Sequence, residues 1–317
     1  MAGGTRDIKR RIKSVANTRK ITKAMEMVAA AKMRKAVAAV QATRDYANLA
    51  WATVLHLSEK TEQKKHALLR KPKKVENIGL ILIGSNRGLC GGFNIQVSNK
   101  AVVSIKKHEN TIKKTEIITF GSKSRDVIKG FGFDVVADFE KADLTLSAAE
   151  VAALSRMVIT DFVNCKYDKV FVVFTDYISS LRQEPRVKQL LPIIPEPDDY
   201  LGIVGKSSGI ETTKEFIEKK SEKYLKKGEF SYEYLFEPNA STVLDQMLPR
   251  LIEMQIYQAV LESEASEHSS RMLAMRNATD SAKDMIDDLT LSYNRARQAG
   301  ITQEIAEISA GASALKK

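Results

Sequence analysis

The sequence is poor in the residues that carry out chemistry. Its 317 residues include four histidines, two cysteines and one tryptophan. Two cysteines, Cys90 and Cys165, exclude a disulfide framework and a multi-thiolate zinc site. One bridge is arithmetically open, but a reducing compartment is the simpler reading. No apolar run approaches the ~20 residues needed to span a membrane. The N-terminal MAGGTRDIKRR has no apolar signal core, so no secretory address is expected. Proline and glycine are both missing from Thr5 to Glu59, and nothing in that stretch breaks a helix. Acidic residues are scarce at the same end. Arg6, Lys9, Arg10, Arg11, Lys13, Arg19, Lys20, Lys23, Lys32, Arg34 and Lys35 face only Asp7 and Glu26, within a net charge of +11. Such a segment suits an anionic neighbour or, equally, a solvated helix face. The first 35 residues also lack aromatics, which argues against a nucleic-acid-binding coiled coil.

What the sequence does have is helical periodicity at both ends. Steps of three and four from Leu244 pass through Met247, Leu251, Met254, Gln258, Leu261, Ala265, His268, Met272, Met275, Thr279, Ala282, Ile286, Leu289, Tyr293 and Ala296 to Gly300, mostly apolar. This heptad spacing keeps one stripe of a helix against a partner. The seam would run roughly 85 Å at 1.5 Å per residue, too long for a compact domain, so the helix is expected to project. Pro249 should kink it or delay its regular part. The N-terminal segment, residues 1–70, reads as a second long helix ending by Pro72. Ile8, Ile12 and Val15 form one stripe and Ile21, Met25 and Val28 another, with a slip of phase between them. Pairing the first segment with the last, residues 238–317, in an antiparallel coiled coil buries both stripes.

Between them, residues 75–195 change character. IGLILI (78–83), Ile117 to Phe120, Val135 and Val136, and VFVVF (170–174) read as strands, and Val187 to Ile194 as an edge strand. Helical sequence reaches through Val102 and Ile105, covers Ser122 to Lys129 and spans Ala148 to Val163. This alternation predicts an open α/β sheet. Residues 196–230 are polar and lysine-rich and read as a surface insertion with one charged helix.

A nucleotide-using enzyme on this sheet is a competing reading. The loop Gly84-Ser85-Asn86-Arg87-Gly88-Leu89-Cys90-Gly91-Gly92 lacks the lysine and hydroxyl residue of a phosphate loop and does not match G-x-G-x-x-G. Its amides can cradle an anion at a helix start, or it is a tight turn against a partner. His56, His66, His108 and His268 have no evident carboxylate companion that would make Cys90 a nucleophile. His268, Met272 and Met275 read as seam residues. Glu304 and Glu307 lack a third metal ligand. No catalytic residue, metal or cofactor is expected.

Four blocks resemble one family. KITKAMEMVAAAKMRK (20–35), RGLCGGFN (87–94), EASEHSSRMLAMRNAT (264–279) and NRARQAGITQEIAEISAGASAL (294–315) are similar to the gamma subunit of rotary F-type ATP synthases. The resemblance implies paired terminal helices as a central-stalk rotor shaft, with an open, Rossmann-like α/β domain between them. It implies a non-catalytic subunit, one copy per complex, coupling ion-driven rotation of a membrane-embedded c-type ring to ATP synthesis or hydrolysis. The implied partners are the alternating alpha/beta catalytic hexamer, the epsilon subunit and that ring, with no nucleic acid. The implied location is peripheral, on the cytoplasmic face of a bacterial inner membrane or the corresponding organellar face. Position by position, Lys23, Met25, Arg87, Arg297, Gln298, Thr302 and Glu304 would meet the catalytic subunits. Tyr234, Phe236 and Glu237 would meet the ring and the epsilon subunit. Asn86 stands where an Asp is usual. The insertion has no cysteine, so the thiol switch of chloroplast-type members is not expected.

Overall fold

The computed structural model describes residues 2–60, 66–70, 72, 74–107, 112–144, 147–193 and 240–314. The elements are α1 (Ala2–Lys60), β1 (Asn77–Ile83), α2 (Phe93–Lys107), β2 (Lys114–Phe120), α3 (Ser122–Gly130), β3 (Val135–Phe139), α4 (Ala152–Val163), β4 (Lys169–Tyr177), β5 (Gln183–Leu191) and α5 (Ala240–Ala314). A short 3₁₀ turn, Ala67–Leu69, buries Leu68 and Leu69, so the N-terminal helix has ended well before Pro72. The polar insertion and the foot residues Tyr234, Phe236 and Glu237 lie outside the described residues. The chain forms two compact units, one of Met1–Ala30 with Arg271–Lys317, the other of Ala31–Ser270.

The larger unit holds a five-stranded sheet in the order β3-β2-β1-β4-β5. The first four strands are parallel and β5 runs antiparallel on the edge. Pro185 lies within β5, and an edge strand tolerates the missing N–H. The apolar runs of β1 and β4 are continuous because both faces of the sheet are covered. Leu80 and Leu82 face α2 and α3 through Val97, Ala101 and Ile128. Ile81 and Ile83 face the other way, toward α4, the start of α5 and Ala36 and Val40 of α1.

At the N-terminal edge of the sheet, Glu116 is 9% exposed. It accepts a hydrogen bond from the Tyr167 hydroxyl at 2.8 Å and pairs with Lys114 at 2.7 Å and Lys166 at 3.0 Å. Burial opposes its ionisation, but the bonds from Lys114, Lys166 and Tyr167 win and lower its pKa to about 2. A carboxylate lowered in the folded state contributes stability above its unfolded pKa and loses it as pH falls toward the folded value. Glu116→Gln is therefore expected to lower the urea midpoint at about pH 7 and to lose most of that deficit as pH falls toward about 2, where the native carboxylate begins to protonate. An equal deficit at both pH values would refute this assignment.

The two long helices run antiparallel. Thr279 donates to Thr22 at 2.8 Å in the smaller unit, and Thr43 donates to the Gln258 side chain at 2.7 Å in the larger. The two contacts are equally far apart along each helix, in opposite directions. In the smaller unit the predicted seam is where burial occurs. Met275, Thr279 and Ala282 are buried, and Met272, Ile286, Leu289, Tyr293, Ala296 and Gly300 are half-buried.

Two expectations are corrected. The N-terminal stripe does not slip: it continues in heptad register from Ile8, Ile12 and Val15 to buried Thr22, Ala29 and Ala36, whereas Ile21 and Val28 are 61% and 56% exposed. Small and polar residues hold the seam because they let the helices approach closely. The upper part of α5 is more than a stripe. Every residue from Gln255 to Ser269 is buried, and His268 lies there, in the α/β unit, rather than in a coiled-coil seam. Pro249 lies inside the regular helix.

Candidate functional site

A parallel sheet of this order has its ligand crevice at the C-terminal ends of the strands, where the strand order reverses between β1 and β4. Here the stretch of α5 from Glu264 to Ser269 meets the chain at the ends of β3 and β4. Ser266 donates to the Thr175 carbonyl of β4 at 3.1 Å, and Ser269 to the Ser180 carbonyl at 2.7 Å. Lys141, just after β3, is 4% exposed and reaches Glu267 at 2.6 Å and Glu264 at 4.0 Å. Lys188 of β5 is pushed down to about 8 by its burial, with the Glu262 carboxylate opposing. Buried carboxylates persist only when cations or hydrogen bonds compensate them, so α5 is tied to the sheet by charge as well as by apolar packing.

The glycine loop is closed in the same way. Asn94 accepts from the Ser85 amide at 3.0 Å and donates to the Ser85 hydroxyl at 2.7 Å, and the Gly84 amide donates to the Phe120 carbonyl at 2.9 Å, so the loop's first two amides are taken by the chain itself. Cys90 is buried among these groups, and Cys90 and Cys165 are not joined in a disulfide. Arg87 projects from the tip with its side chain 78% exposed, 3.8 Å from Asp143, which also pairs with Lys32 at 3.2 Å. Of the two loop readings, the packed turn describes it. The partner of that turn is this chain's own α2, through Asn94, and the strap that follows β3, residues 140–144.

The sequence-predicted contact residues fall into three groups. Lys23 and Met25 sit on α1, where Lys23 pairs with Glu26 at 3.0 Å and Met25 is half-buried at the seam's margin. Arg297, Gln298, Thr302 and Glu304 are all exposed on α5, within roughly 10 Å along the axis at 1.5 Å per residue. The Thr302 hydroxyl donates to the Gln298 carbonyl at 3.0 Å, one turn back. Counting outward from the Thr22–Thr279 contact, Lys23 falls opposite Ala278, far down α5 from Arg297. The structure does not bring those two groups together. Arg87 belongs to the α/β unit. Sequence reading missed the exposure of Ile301, Ile305 and Ile308, 44%, 62% and 73%. By the same count Ala2 falls opposite Ala299. Beyond that point α1 can no longer cover α5. Ile301, Ile305 and Ile308 also lie off the seam, whose next positions after Gly300 are Gln303 and Glu307. The missed signal was that change of phase in the apolar residues after Gly300. Among the described residues no group of three or more acidic, histidine or cysteine side chains could hold a metal ion.

Comparison with known proteins agrees with this geometry. A family model described as ATP synthase matches residues 4–315. The ATP synthase gamma chain of Chloroflexus aurantiacus is 38% identical over 313 residues, with 98% of each chain covered. That of Heliobacterium modesticaldum is 39% identical over 312 residues, covering 98% of this chain and 99% of its own. Among solved structures, a chain of the Euglena gracilis mitochondrial ATP synthase superposes with a TM-score of 0.64 at 19% identity, over 99% of this chain and 95% of that one. A chain of the Tetrahymena thermophila enzyme's central stalk and c-ring gives 0.57 at 23%, over 81% and 99%. Matched over nearly its whole length by a family model and by relatives above 30% identity, this chain belongs to the gamma-chain family of F-type ATP synthases.

Proposed function

We propose that this chain, the central-stalk rotor subunit of an F-type ATP synthase, contributes no catalytic residue and acts by presenting different faces of one helix pair to the catalytic subunits. The carrying observation is the last part of α5. There Arg297 and Gln298, beside the start of α1, and Ile301, Thr302, Glu304, Ile305 and Ile308, past it, are all exposed. A single helix end with apolar residues in the open fits inside a sleeve of other subunits. Lower on the pair, Lys23 and Met25 would meet the same subunits, and Arg87 would do so from the glycine loop. An off-centre set of contacts of this kind gives three chemically equal sites different nucleotide affinities at each shaft angle, a coupling carried by a rigid element.

The basic first helix suits acidic loops on the surrounding alpha/beta hexamer, with electrostatics that set orientation and rate of docking. Tyr234, Phe236 and Glu237 would contact the membrane-embedded ring and the epsilon subunit. One copy would serve each complex. No described helix is long and apolar enough to cross a membrane, and attachment at the inner membrane face would be peripheral, through the ring.

The α/β domain would bind no nucleotide, because α5 meets the chain at the strand ends where a nucleotide would sit. The purified chain alone is expected to show no ATP hydrolysis above background, and the complex reassembled with its catalytic subunits to hydrolyse ATP. Sustained turnover by the isolated, complex-free chain would overturn this reading.

A further inference from the structure

Asn86 opens the tip of the glycine loop and has two neighbours of opposite hydrogen-bonding character. On one side the Ser122 amide, at the start of α3, donates to its Oδ1 at 3.2 Å. On the other, its Nδ2 donates to the carbonyl oxygen of Lys141. Its own carbonyl accepts from the Ser122 hydroxyl at 3.2 Å. An N–H on one side and a C=O on the other require one acceptor and one donor in the same planar group. A side-chain amide supplies both, and a carboxylate supplies only acceptors. The strap that Asn86 grips is held at the next positions along it. The Lys141 ammonium is bound to Glu267 of α5, and Asp143 lies between Lys32 of α1 and Arg87. Beyond Asn86 the loop carries Leu89, exposed, with φ of 64°. A leucine keeps that left-handed conformation only where its surroundings hold the backbone. Ser85 holds one side by donating to the Arg87 carbonyl at 2.8 Å.

We propose that Asn86 is a positioning residue: its amide ties the glycine loop to α3 and to the strap clamped on α1 and α5, and so fixes the direction in which Arg87 is presented. The proposal rests on the reading of Arg87 as a contact to the catalytic subunits. In this chain an aspartate at position 86 would set a carboxylate oxygen against the Lys141 carbonyl.

The test uses the assembled complex carrying Asn86→Asp, with Ser122→Ala as a milder second variant. Loss of one neutral hydrogen bond corresponds to about threefold to tenfold faster amide exchange at residues 87–91. Asn86→Asp is expected to show that increase and a lower ATP-driven membrane potential per ATP hydrolysed, and Ser122→Ala a smaller one. The increase in Asn86→Asp, taken relative to the parent at each pH, should shrink on acidification, because a protonated carboxyl can again donate to Lys141. Unchanged exchange at these amides in Asn86→Asp would overturn the proposal, as would an equal rise in the amides of β4, which would make Asn86 only a packing residue. An Arg87→Ala complex separates the two readings. If Arg87→Ala leaves coupling unchanged while loop exchange still rises in Asn86→Asp, the partner contact fails and with it the functional half of the proposal. If Arg87→Ala uncouples and the loosened loop of Asn86→Asp does not, the positioning role fails alone.

Discussion

Arg297→Ala combined with Gln298→Ala is expected to slow ATP turnover by the reassembled complex about tenfold, equivalent to ~1.4 kcal/mol of barrier. Both side chains are exposed, while the neighbouring seam positions Ala296 and Gly300 are half-buried. The pairing of α5 with α1 therefore uses neither side chain. Alanine is also the better helix former, so helicity should hold or rise slightly. What the double variant removes is a guanidinium and an amide at the point where α5 passes beyond α1, and truncating a few such anchors dominates the energetics of many interfaces. Circular dichroism of the purified chain and hydrolysis rates of the complex decide the matter. A loss of helicity or melting temperature in proportion to the loss of rate would make these residues structural and leave the contact without support.

The largest effect on stability is expected from Lys141→Met. It would leave Glu267, and Glu264 behind it, buried without their cation at a cost of about 3–5 kcal/mol, a large part of the 5–15 kcal/mol typical of a folded protein. A denaturant midpoint gives the number directly. Replacing the whole pair, with Lys141→Met and Glu267→Leu together, should recover most of the loss, since an apolar pair of similar volume is often neutral or better. If the double variant is as unstable as the single one, the carboxylate is needed for some other contact, and the ion pair is not what holds α5 to the strap.

The parts of this molecule that follow a local rule were legible in the sequence. The strands of IGLILI and VFVVF and the heptad from Met272 to Gly300 depend on nearest-neighbour periodicity and are where the spacing put them, while the edge strand, expected over Val187 to Ile194, runs from Gln183 to Leu191. The N-terminal stripe was misread because apolarity was taken as the mark of a buried position. In α1, Thr22 and Ala29 are buried and Ile21 and Val28 are not. A close helix pair selects for small size in the seam, and residues that dock on other subunits are apolar on the outside. No property of α1 alone separates those two cases.

The site divides along the same line. Arg297, Gln298, Thr302 and Glu304 lie within two turns of one helix, so their shared exposure follows from sequence spacing once the seam is known. The polar hub does not. Asn86, Lys141 and Glu267 are far apart in the chain, and each reads as an ordinary surface residue until the sheet places the ends of β1 and β3 beneath α5. By itself the sequence determined the periodicities, the absence of a phosphate loop and the presence of a long helix at each end, because these are properties of a residue and its near neighbours. Only the tertiary structure decided which stretch of α5 is core and which is shaft, where α1 stops covering it, and which charges are buried. Those depend on what lies across the contact, and burial is what turns a lysine and a glutamate from solvated surface into the fastening of the fold.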